Sequence, residues 1–180
     1  MRKLREEEYR AFARFDSQWA LVTAGTPEHY NSCTVSWGSI GNIWGRGGKS
    51  CPIITVYVHP SRYTSEFLRD SGFFTVGFYP GNCRAALGYM GSQSGRTGDK
   101  AAAAGLTPVA MGQSMTYAEA ERTFLCRKLY QHQLSREDLA PEIREYYASR
   151  PETFPDFQGG WQPHIVFIGE VIAVEDGAAE

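Results

Sequence analysis

The feature that most constrains the fold of this chain is a series of short segments rich in β-branched and aromatic residues, separated by glycine and proline. Such segments are typical of β-strands, and the residues that bound them are typical of turns. The clearest is 52–58, and the others lie at 19–24, 32–37, 73–79, 121–132 and 164–174. The last segment is nearly all apolar, so we expect it to be buried on both sides or paired with a partner.

Helical patterns are fewer and shorter. We expect helices over 6–15, 63–69, 83–89 and 135–149, the last with a break or restart at Pro141. Because strands do not alternate regularly with long helices, a doubly wound parallel sheet is disfavoured. The 180 residues are therefore expected to form one mainly β (α+β) domain over 1–180, a β-barrel with a few peripheral helices.

Composition excludes several classes of protein. Eighteen basic and twenty acidic residues give a net charge of −2, which argues against a nucleic-acid binder and against a polybasic membrane-surface protein. No apolar run reaches the length of about 18 residues that a transmembrane helix needs, and the basic N-terminus lacks the apolar stretch of a secretory signal. The four cysteines form no C-x-x-C pair, so we expect reduced thiols in a cytoplasmic protein.

Charge is unevenly distributed along the chain. Residues 31–100 contain seven basic and three acidic side chains, a net charge of +4, so the remainder carries −6. A locally basic and glycine-rich middle suggests a small anionic ligand rather than a polyanion. Chance segregation of charge in so short a chain is the alternative.

Two glycine-rich runs resemble phosphate-binding loops, but neither fits. In 43–50, Ile43 stands where a nucleotide-triphosphate loop needs glycine; in 95–101, Asp99 interrupts the Gly-Lys pair and Ala101 replaces the magnesium-binding hydroxyl. The chain also lacks a dinucleotide fingerprint, a nucleophile elbow and a zinc-protease motif. Its four histidines show no ligand spacing, so no metal site is expected.

Three other segments share a chemical character that suits a ligand. Residues 31–39 combine hydroxyls with Trp37 at a strand end, 59–64 joins a strand to a helix start, and 92–100 is a basic, glycine-rich loop. Arginine offers a bidentate fork, lysine a point charge, and glycine lets backbone amides approach an oxyanion. Together with Trp37 and Tyr63 they indicate a ligand with one phosphate and one flat ring system.

Each of these features also has an ordinary structural explanation. Trp37 is of a type more often found in a core, Arg62 could form an ion pair at a helix start, and the 94–100 loop could be solvated. It is the combination of the three segments that favours a ligand site.

The order of these motifs resembles the flavin reductase-like family, to which flavoredoxin is related. The matching runs are Asn31-x-x-Thr-Val-Ser-Trp-Gly-Ser-Ile-Gly41, Val58-x-Pro-x-Arg-Tyr-Thr64, Gly91-Ser-x-Ser-Gly-Arg-x-x-Asp-Lys100 and Ala104-Gly-Leu-Thr-Pro108. The similarity continues through 121–130 and ends in 164–171. It covers nearly the whole chain.

The resemblance implies an FMN-binding split β-barrel, usually a homodimer with its flavin sites near the subunit interface. Carried over residue by residue, it implies that one group flanks the isoalloxazine and ribityl chain: Asn31, Thr34, Val35, Ser36, Trp37 and Gly38. It implies that a second group holds the phosphate: Pro60, Arg62, Tyr63, Thr64, Ser94, Gly95, Arg96 and Lys100. His164 would lie near the nicotinamide or flavin as the catalytic candidate, with a strand-start histidine bonded to backbone as the alternative.

The function implied by the resemblance is an FMN-dependent oxidoreductase, a flavin reductase that takes hydride from NADH or NADPH. One alternative is a flavoredoxin-like FMN electron carrier, served by a redox protein partner and without efficient NAD(P)H turnover. Another is a flavin-binding module that is not an enzyme. Some family members have Gly-Asp-His before the last strand, associated with NAD(P)H use, whereas this chain has Gln162-Pro163-His164.

Overall fold

The structure is a computed structural model that describes residues 10–151 and 157–177. Its strands are β1 (Ala20–Thr26), β2 (His29–Val35), β3 (Gly38–Arg46), β4 (Lys49–Val58), β5 (Phe73–Phe78), β6 (Pro108–Met111), β7 (Ser114–Tyr117), β8 (Arg122–Gln133) and β9 (Ile165–Asp176). Its helices are α1 (Ala11–Ala13), which continues into a π-helical turn (Arg14–Gln18), α2 (Tyr63–Asp70), α3 (Arg84–Ser92), which follows a 3-10 turn (Gly81–Cys83), α4 (Lys100–Ala103) and α5 (Pro141–Ala148).

One antiparallel sheet of seven strands dominates the fold. Its order is β2-β1-β5-β8-β9-β4-β3, and β6 and β7 form a separate hairpin. The sheet curls so that its two ends approach each other, since β2 and β3 lie at opposite ends of this order and only Ser36 and Trp37 separate them along the chain. The expected mainly β (α+β) architecture with peripheral helices is confirmed.

Two hydrophobic cores lie on opposite faces of β1. Val22 and Ala24 point into the larger core, which the curled sheet encloses, whereas Leu21 points into a smaller core beneath α3, α4 and β7. Because side chains alternate along a strand, a strand covered on both faces is apolar throughout. This double burial explains why the β1 sequence contains few polar residues. Strand β2 pairs with β1 and is therefore held beside a strand that is packed on both faces.

The structure differs from the sequence interpretation at several elements. The helix expected over 135–149 is present only from Pro141 onward. The expected helix 6–15 lies partly outside the described residues; within them Ala11–Ala13 is α-helical and continues into the π-helical turn. The strands β3, β6 and β7 were not expected. In β9, buried side chains alternate with half-buried ones as far as Val171, so within this chain one face of the strand is only partly covered.

The glycine-rich run 43–50 is the turn of the β3–β4 hairpin. Gly47 and Gly48 have φ values of 60° and 75°, and the turn pairs Arg46 with Lys49. A two-residue hairpin loop with both residues at positive φ matches the twist of the flanking strands, which is why two glycines stand there. The run is a turn rather than a phosphate loop.

Between β8 and β9 the structure describes residues 134–151 and 157–164, which lie outside the sheet. Among these described residues only α5 is regular, and it begins at a proline, which is favourable at the first helical position. We call residues 134–151 and 157–164 the excursion. It packs beside the end of β2, where the ligand motifs converge.

Candidate functional site

Strand β2 carries the first part of the site, which includes the buried Asn31 side chain. The Asn31 Oδ1 accepts a hydrogen bond from the Ser32 amide at 2.7 Å, while its Nδ2 is buried without a hydrogen-bond partner among the described residues. Gly95 lies so close that a Cβ there would stand 2.6 Å from Asn31 Nδ2. Glycine at 95 is therefore required for the 93–99 loop to close over Asn31.

The N-terminus of α2 is open. Its N-cap is Arg62, and no side chain bonds the first free amides of the helix. Thr64, in the first turn, is 1% exposed, and its hydroxyl oxygen has no hydrogen-bond partner among the described residues. Free helix amides and the positive end of the helix dipole favour an anion.

The N-terminus of α4 is closed by contrast. The Asp99 carboxylate accepts hydrogen bonds from the Ala101 and Ala102 amides at 3.0 and 3.1 Å. Sequence interpretation saw Asp99 only as an interruption of a Gly-Lys pair and missed this cap, although Asp just before an alanine run is a helix-start signal. Of these two helices, only α2 offers its amides to a ligand.

Lys100 is buried, 8% exposed, beside the end of α3. Its ammonium donates to the Met90 carbonyl at 2.9 Å and to the Gln93 carbonyl at 3.2 Å, and burial lowers its pKa. Arg62 donates to the neighbouring Gly91 carbonyl at 2.6 Å. Cations at a helix C-terminus are favourable, so both residues stabilise the end of α3. An ammonium has three donors and a guanidinium five, so both keep N–H groups for a ligand.

These polar groups converge around one buried thiol. Burial raises the pKa of Cys33, while the neighbouring Thr64 hydroxyl and then the Lys100 and Arg62 charges act in the opposite direction. Asn31 and Lys100 also line one cavity of about 220 Å³. We call Asn31, Arg62, Thr64 and Lys100 the anion cradle, because it combines two cations with two unpartnered buried donors.

Other residues expected at the phosphate lie on the exposed side of α2 or hold α2 and the neighbouring loop in place. Arg96 forms an ion pair with Glu66 and lies over the Tyr63 ring at 4.5 Å, on the exposed surface. The Ser94 hydroxyl accepts from the Arg96 amide at 3.2 Å, and the Pro60 carbonyl accepts from the buried Ser65 hydroxyl at 2.9 Å. In this structure they order the loop and the helix around the cradle.

Two residues expected beside the flavin face the protein interior. The Thr34 hydroxyl donates to the Leu87 carbonyl at 2.5 Å, and Val35 is in the larger core. Thr34 therefore ties β2 to α3 and Val35 holds the strand on the sheet. A contribution of either to a ligand would come through the backbone.

At the far end of β2 the site becomes apolar. The consecutive residues Ser36, Trp37 and Gly38 line a cavity of about 690 Å³ together with His164, which is distant in sequence. Gly38 allows Phe15 to pack, since a Cβ at 38 would stand 2.4 Å from the Phe15 ring. We call this cavity the aromatic cavity.

The excursion supplies one wall of the aromatic cavity. Tyr147 of α5 stacks on Trp161 with ring centroids 5.4 Å apart, and it meets Trp37 edge-on at 6.4 Å. Leu134, Leu139 and Ile143 complete this wall. Sequence interpretation missed all of these residues, because nothing in a single sequence indicates which strand end the excursion covers.

His164 lies between Trp37 and His59, with ring centroids at 4.5 and 5.3 Å. Burial, together with the neighbouring His59 and Arg62, lowers the pKa of His164 to about 4. The pKa of His59 is also lowered, chiefly by burial. At neutral pH His164 is therefore an uncharged imidazole, which can donate from one nitrogen and accept at the other. Its coupling to Arg62 links the aromatic cavity to the anion cradle.

Within the described ranges, no group of three or more histidine, cysteine, aspartate or glutamate side chains is arranged to hold a metal ion. No helix in those ranges is long and apolar enough to cross a membrane.

Comparison with solved structures identifies the class of fold. An FMN-binding protein from Thermus thermophilus is 20% identical with a TM-score of 0.63, over 94% of this chain and 80% of that chain. A flavoredoxin from Methanosarcina acetivorans is 19% identical with a TM-score of 0.61, over 88% and 68%. A split barrel domain protein from Shewanella frigidimarina is 15% identical with a TM-score of 0.62, over 97% and 77%. The fold is a split β-barrel.

A family model described as the flavin reductase like domain matches residues 12–180. The chain therefore belongs to the flavin reductase-like family, as the motif order indicated. No match was found among curated proteins.

Proposed function

We propose that this chain is an FMN-binding oxidoreductase that takes hydride from NADH or NADPH and passes electrons to an acceptor. The observation that carries the proposal is the pair of buried, unpartnered donors, Asn31 Nδ2 and Thr64 Oγ1, beside Arg62 and Lys100. Buried polar groups without partners are uncommon in folded proteins. The oxygens of a phosphate would satisfy both donors and balance both cations.

The spacing along β2 suits FMN in particular. Asn31 lies in the anion cradle and Ser36 lines the aromatic cavity, and five residues of extended strand span about 17 Å. An elongated ligand with a phosphate at one end and a flat ring system at the other matches a polar site and an apolar site at this separation. FAD would need a second nucleotide site, for which the chain lacks the fingerprint.

In this proposal FMN supplies the two-electron redox chemistry, and the chain supplies binding, orientation and electrostatics. Arg62 and Lys100 neutralise the phosphate charge, while Trp37 offers an aromatic surface to the ring. The neutral His164 imidazole is available as a hydrogen-bond partner for a nicotinamide carboxamide or for the flavin. Its lowered pKa argues against a cationic role at neutral pH.

The test is an absorbance spectrum of the purified chain after reconstitution with FMN, followed by anaerobic mixing with NADH and with NADPH. We expect a flavin spectrum and bleaching on a catalytic timescale with one of the nucleotides. Mass spectrometry of the released cofactor should identify FMN. Mostly FAD, or no retained flavin, would refute the proposal.

A second candidate is an FMN electron carrier without efficient NAD(P)H turnover. It is favoured by Gln162-Pro163, which stands where some family members have Gly-Asp before the histidine. In the same experiment the carrier would hold flavin that bleaches with dithionite but not with either nucleotide. A redox protein partner would then supply the electrons.

We also propose that the functional unit is a homodimer. The half-buried face of β9 carries the apolar Val166 and Ile168, and Ile172 further along is 39% exposed. Apolar strand faces of this kind are commonly covered by a second subunit. Light scattering of the FMN-loaded protein should give twice the mass of one chain, and the mass of a single chain would contradict the proposal.

A further inference from the structure

Helices anchor both ends of the 93–99 loop. The carbonyl of its first residue, Gln93, accepts from the Lys100 ammonium at 3.2 Å, and its last residue, Asp99, caps α4. In the middle of the loop, the amide and the hydroxyl of Thr97 donate to a carbonyl of the same loop at 3.3 and 2.9 Å. These internal bonds shape the loop but do not attach its middle to the rest of the chain.

The attachment of the middle comes from Arg96. Its guanidinium pairs with the Glu66 carboxylate and lies over the Tyr63 ring, 4.5 Å from the centroid. Among the described residues, this pair is the one hydrogen bond that joins the middle of the loop, 94–98, to another element. We call Tyr63, Glu66 and Arg96 the clasp.

The clasp joins the two sides of the anion cradle. Tyr63 and Glu66 belong to the first turn of α2, which also carries Thr64. Next to Arg96 in the loop, Gly95 packs against Asn31 so closely that a Cβ there would stand 2.6 Å from its Nδ2. The clasp therefore holds the loop that covers Asn31 against the helix that carries Thr64.

The clasp lies at the surface, where Glu66 and Arg96 are both nearly half exposed. Ion pairs at this exposure contribute little to the stability of a whole protein, because solvent screens them. A surface loop, however, opens at a much smaller cost in free energy than the whole protein unfolds. A weak contact is therefore enough to change how often the loop opens.

We propose that Glu66 is a positioning residue that acts through Arg96 to keep the 93–99 loop closed over an anion in the cradle. The clasp then sets how long the anion stays bound. The inference rests on the proposed function in one respect, namely that this anion is the phosphate of FMN. A closed clasp favours a retained cofactor, whereas its loss favours a flavin that exchanges as a substrate does.

The negative charge of Glu66 separates this role from a purely electrostatic one. Glu66 follows Arg62 by four residues, about one helical turn, so its charge opposes the binding of an anion at the cradle. If Glu66 acted through its charge alone, Glu66→Gln would remove this repulsion and FMN would dissociate more slowly. If Glu66 holds the loop through Arg96, the same substitution should make FMN dissociate faster.

The first measurement is the dissociation rate of FMN, from the recovery of flavin fluorescence after dilution of the loaded chain at low salt. We expect Glu66→Gln to raise this rate by about five-fold, the combined scale of an exposed ion pair and a cation–π contact. The Glu66→Gln/Arg96→Gln double variant should dissociate no faster than Arg96→Gln alone, because the two partners of one contact are not additive. Asp70→Asn removes the same charge from the exposed last turn of α2 and should leave the rate unchanged.

The second measurement needs no flavin. Trypsin cleaves after arginine, and Arg96 becomes accessible to it when the loop opens. Limited trypsin digestion of the flavin-free chain, with the fragments identified by mass spectrometry, should show cleavage after Arg96 about five-fold faster in Glu66→Gln than in the wild type. Asp70→Asn should be cleaved there at the wild-type rate.

FMN dissociation that is unchanged or slower in Glu66→Gln would overturn the inference, and so would additive effects of the Glu66 and Arg96 substitutions. If the chain takes up no FMN, the proposed function fails and the trypsin rates decide alone. Faster cleavage after Arg96 in Glu66→Gln would then support the clasp, whereas equal cleavage would overturn it.

Discussion

The anion cradle and the aromatic cavity lie at opposite ends of the same strand and have opposite character. The cradle has two cations and two unpartnered donors, held by α2, α3 and α4 against the cores. The cavity has aromatic and aliphatic walls, one of which is the excursion between β8 and β9. The cradle is therefore built into the fold, while the cavity depends on a segment outside the sheet.

This difference suggests a division of roles. A substitution of the buried Lys100 in the cradle should affect folding and anion affinity together, because its ammonium also bonds backbone carbonyls at the end of α3. A substitution in the cavity wall should affect the choice of ligand with little effect on stability. The predictions below test this contrast, beginning with the largest effect.

Replacement of Lys100 should have the largest effect. Lys100→Met removes the donors to the Met90 and Gln93 carbonyls, so we expect the free energy of unfolding of the flavin-free chain to fall by about 2–4 kcal/mol. FMN affinity should fall as well. Urea denaturation measures the first effect, and Lys49→Met, at an exposed hairpin position, is the control. Unchanged stability together with weakened FMN binding would return Lys100 to a purely ligand-binding role.

Acidification should destabilise the chain through His164. Its folded-state pKa is about 4 against an ordinary 6.5. As the pH falls from 6.5 to 4, the unfolded chain therefore takes up a proton that the folded chain does not, and stability decreases. This group contributes at most about 3 kcal/mol to that loss. His164→Gln should flatten the fall of unfolding free energy over this range. Equal slopes in the wild-type chain and in this variant would contradict the burial of His164.

Replacement of Arg62 should affect the ligand more than the fold. Arg62→Ala should weaken FMN binding by about 1.5–3 kcal/mol, the usual scale of a charge-assisted contact. The flavin-free variant should melt within a few degrees of the flavin-free wild type, since Arg62 makes one exposed bond to Gly91. Arg69→Ala, at the other end of α2, is the matched control in fluorescence titrations. Equal affinity of the Arg62 and Arg69 variants would leave Arg62 a structural residue.

The smallest effect is kinetic and belongs to the cavity. His164→Ala should slow hydride transfer to bound flavin by roughly ten- to a hundred-fold, about 1.4–2.8 kcal/mol, while FMN affinity stays nearly constant. Stopped-flow reduction by the preferred nucleotide measures it. Unchanged reduction rates would favour the electron-carrier alternative and a structural histidine.

The cradle was predictable from sequence to a degree that the cavity was not. Asn31, Arg62, Thr64 and Lys100 stand in short runs with recognisable chemistry, and α2 (Tyr63–Asp70), which follows Arg62 and contains Thr64, formed close to the expected 63–69. What the sequence did not indicate was that Lys100 would be buried against α3. The partial negative charge at a helix C-terminus attracts a cation, just as a bound anion does. The residue type alone therefore does not show whether a lysine stabilises a helix end or binds a ligand.

The cavity could be predicted only on its sheet side. Trp37 and His164 were expected near the ligand, and they do meet. Tyr147 and Trp161 come from an excursion whose path depends on tertiary packing, and neither has a periodic pattern that would indicate the face it covers. Strand β3 was missed because its three glycines lower its β propensity, and pairing with β4 overrides this.

The most direct test of the account is a side-by-side titration of the flavin-free chain with FMN and with riboflavin, which lacks the phosphate. If the anion cradle holds the phosphate, FMN should bind at least about ten-fold more tightly, and the difference should shrink as salt is added. Equal affinity for FMN and riboflavin at low salt would contradict the account, because the cradle would then contribute nothing to flavin binding.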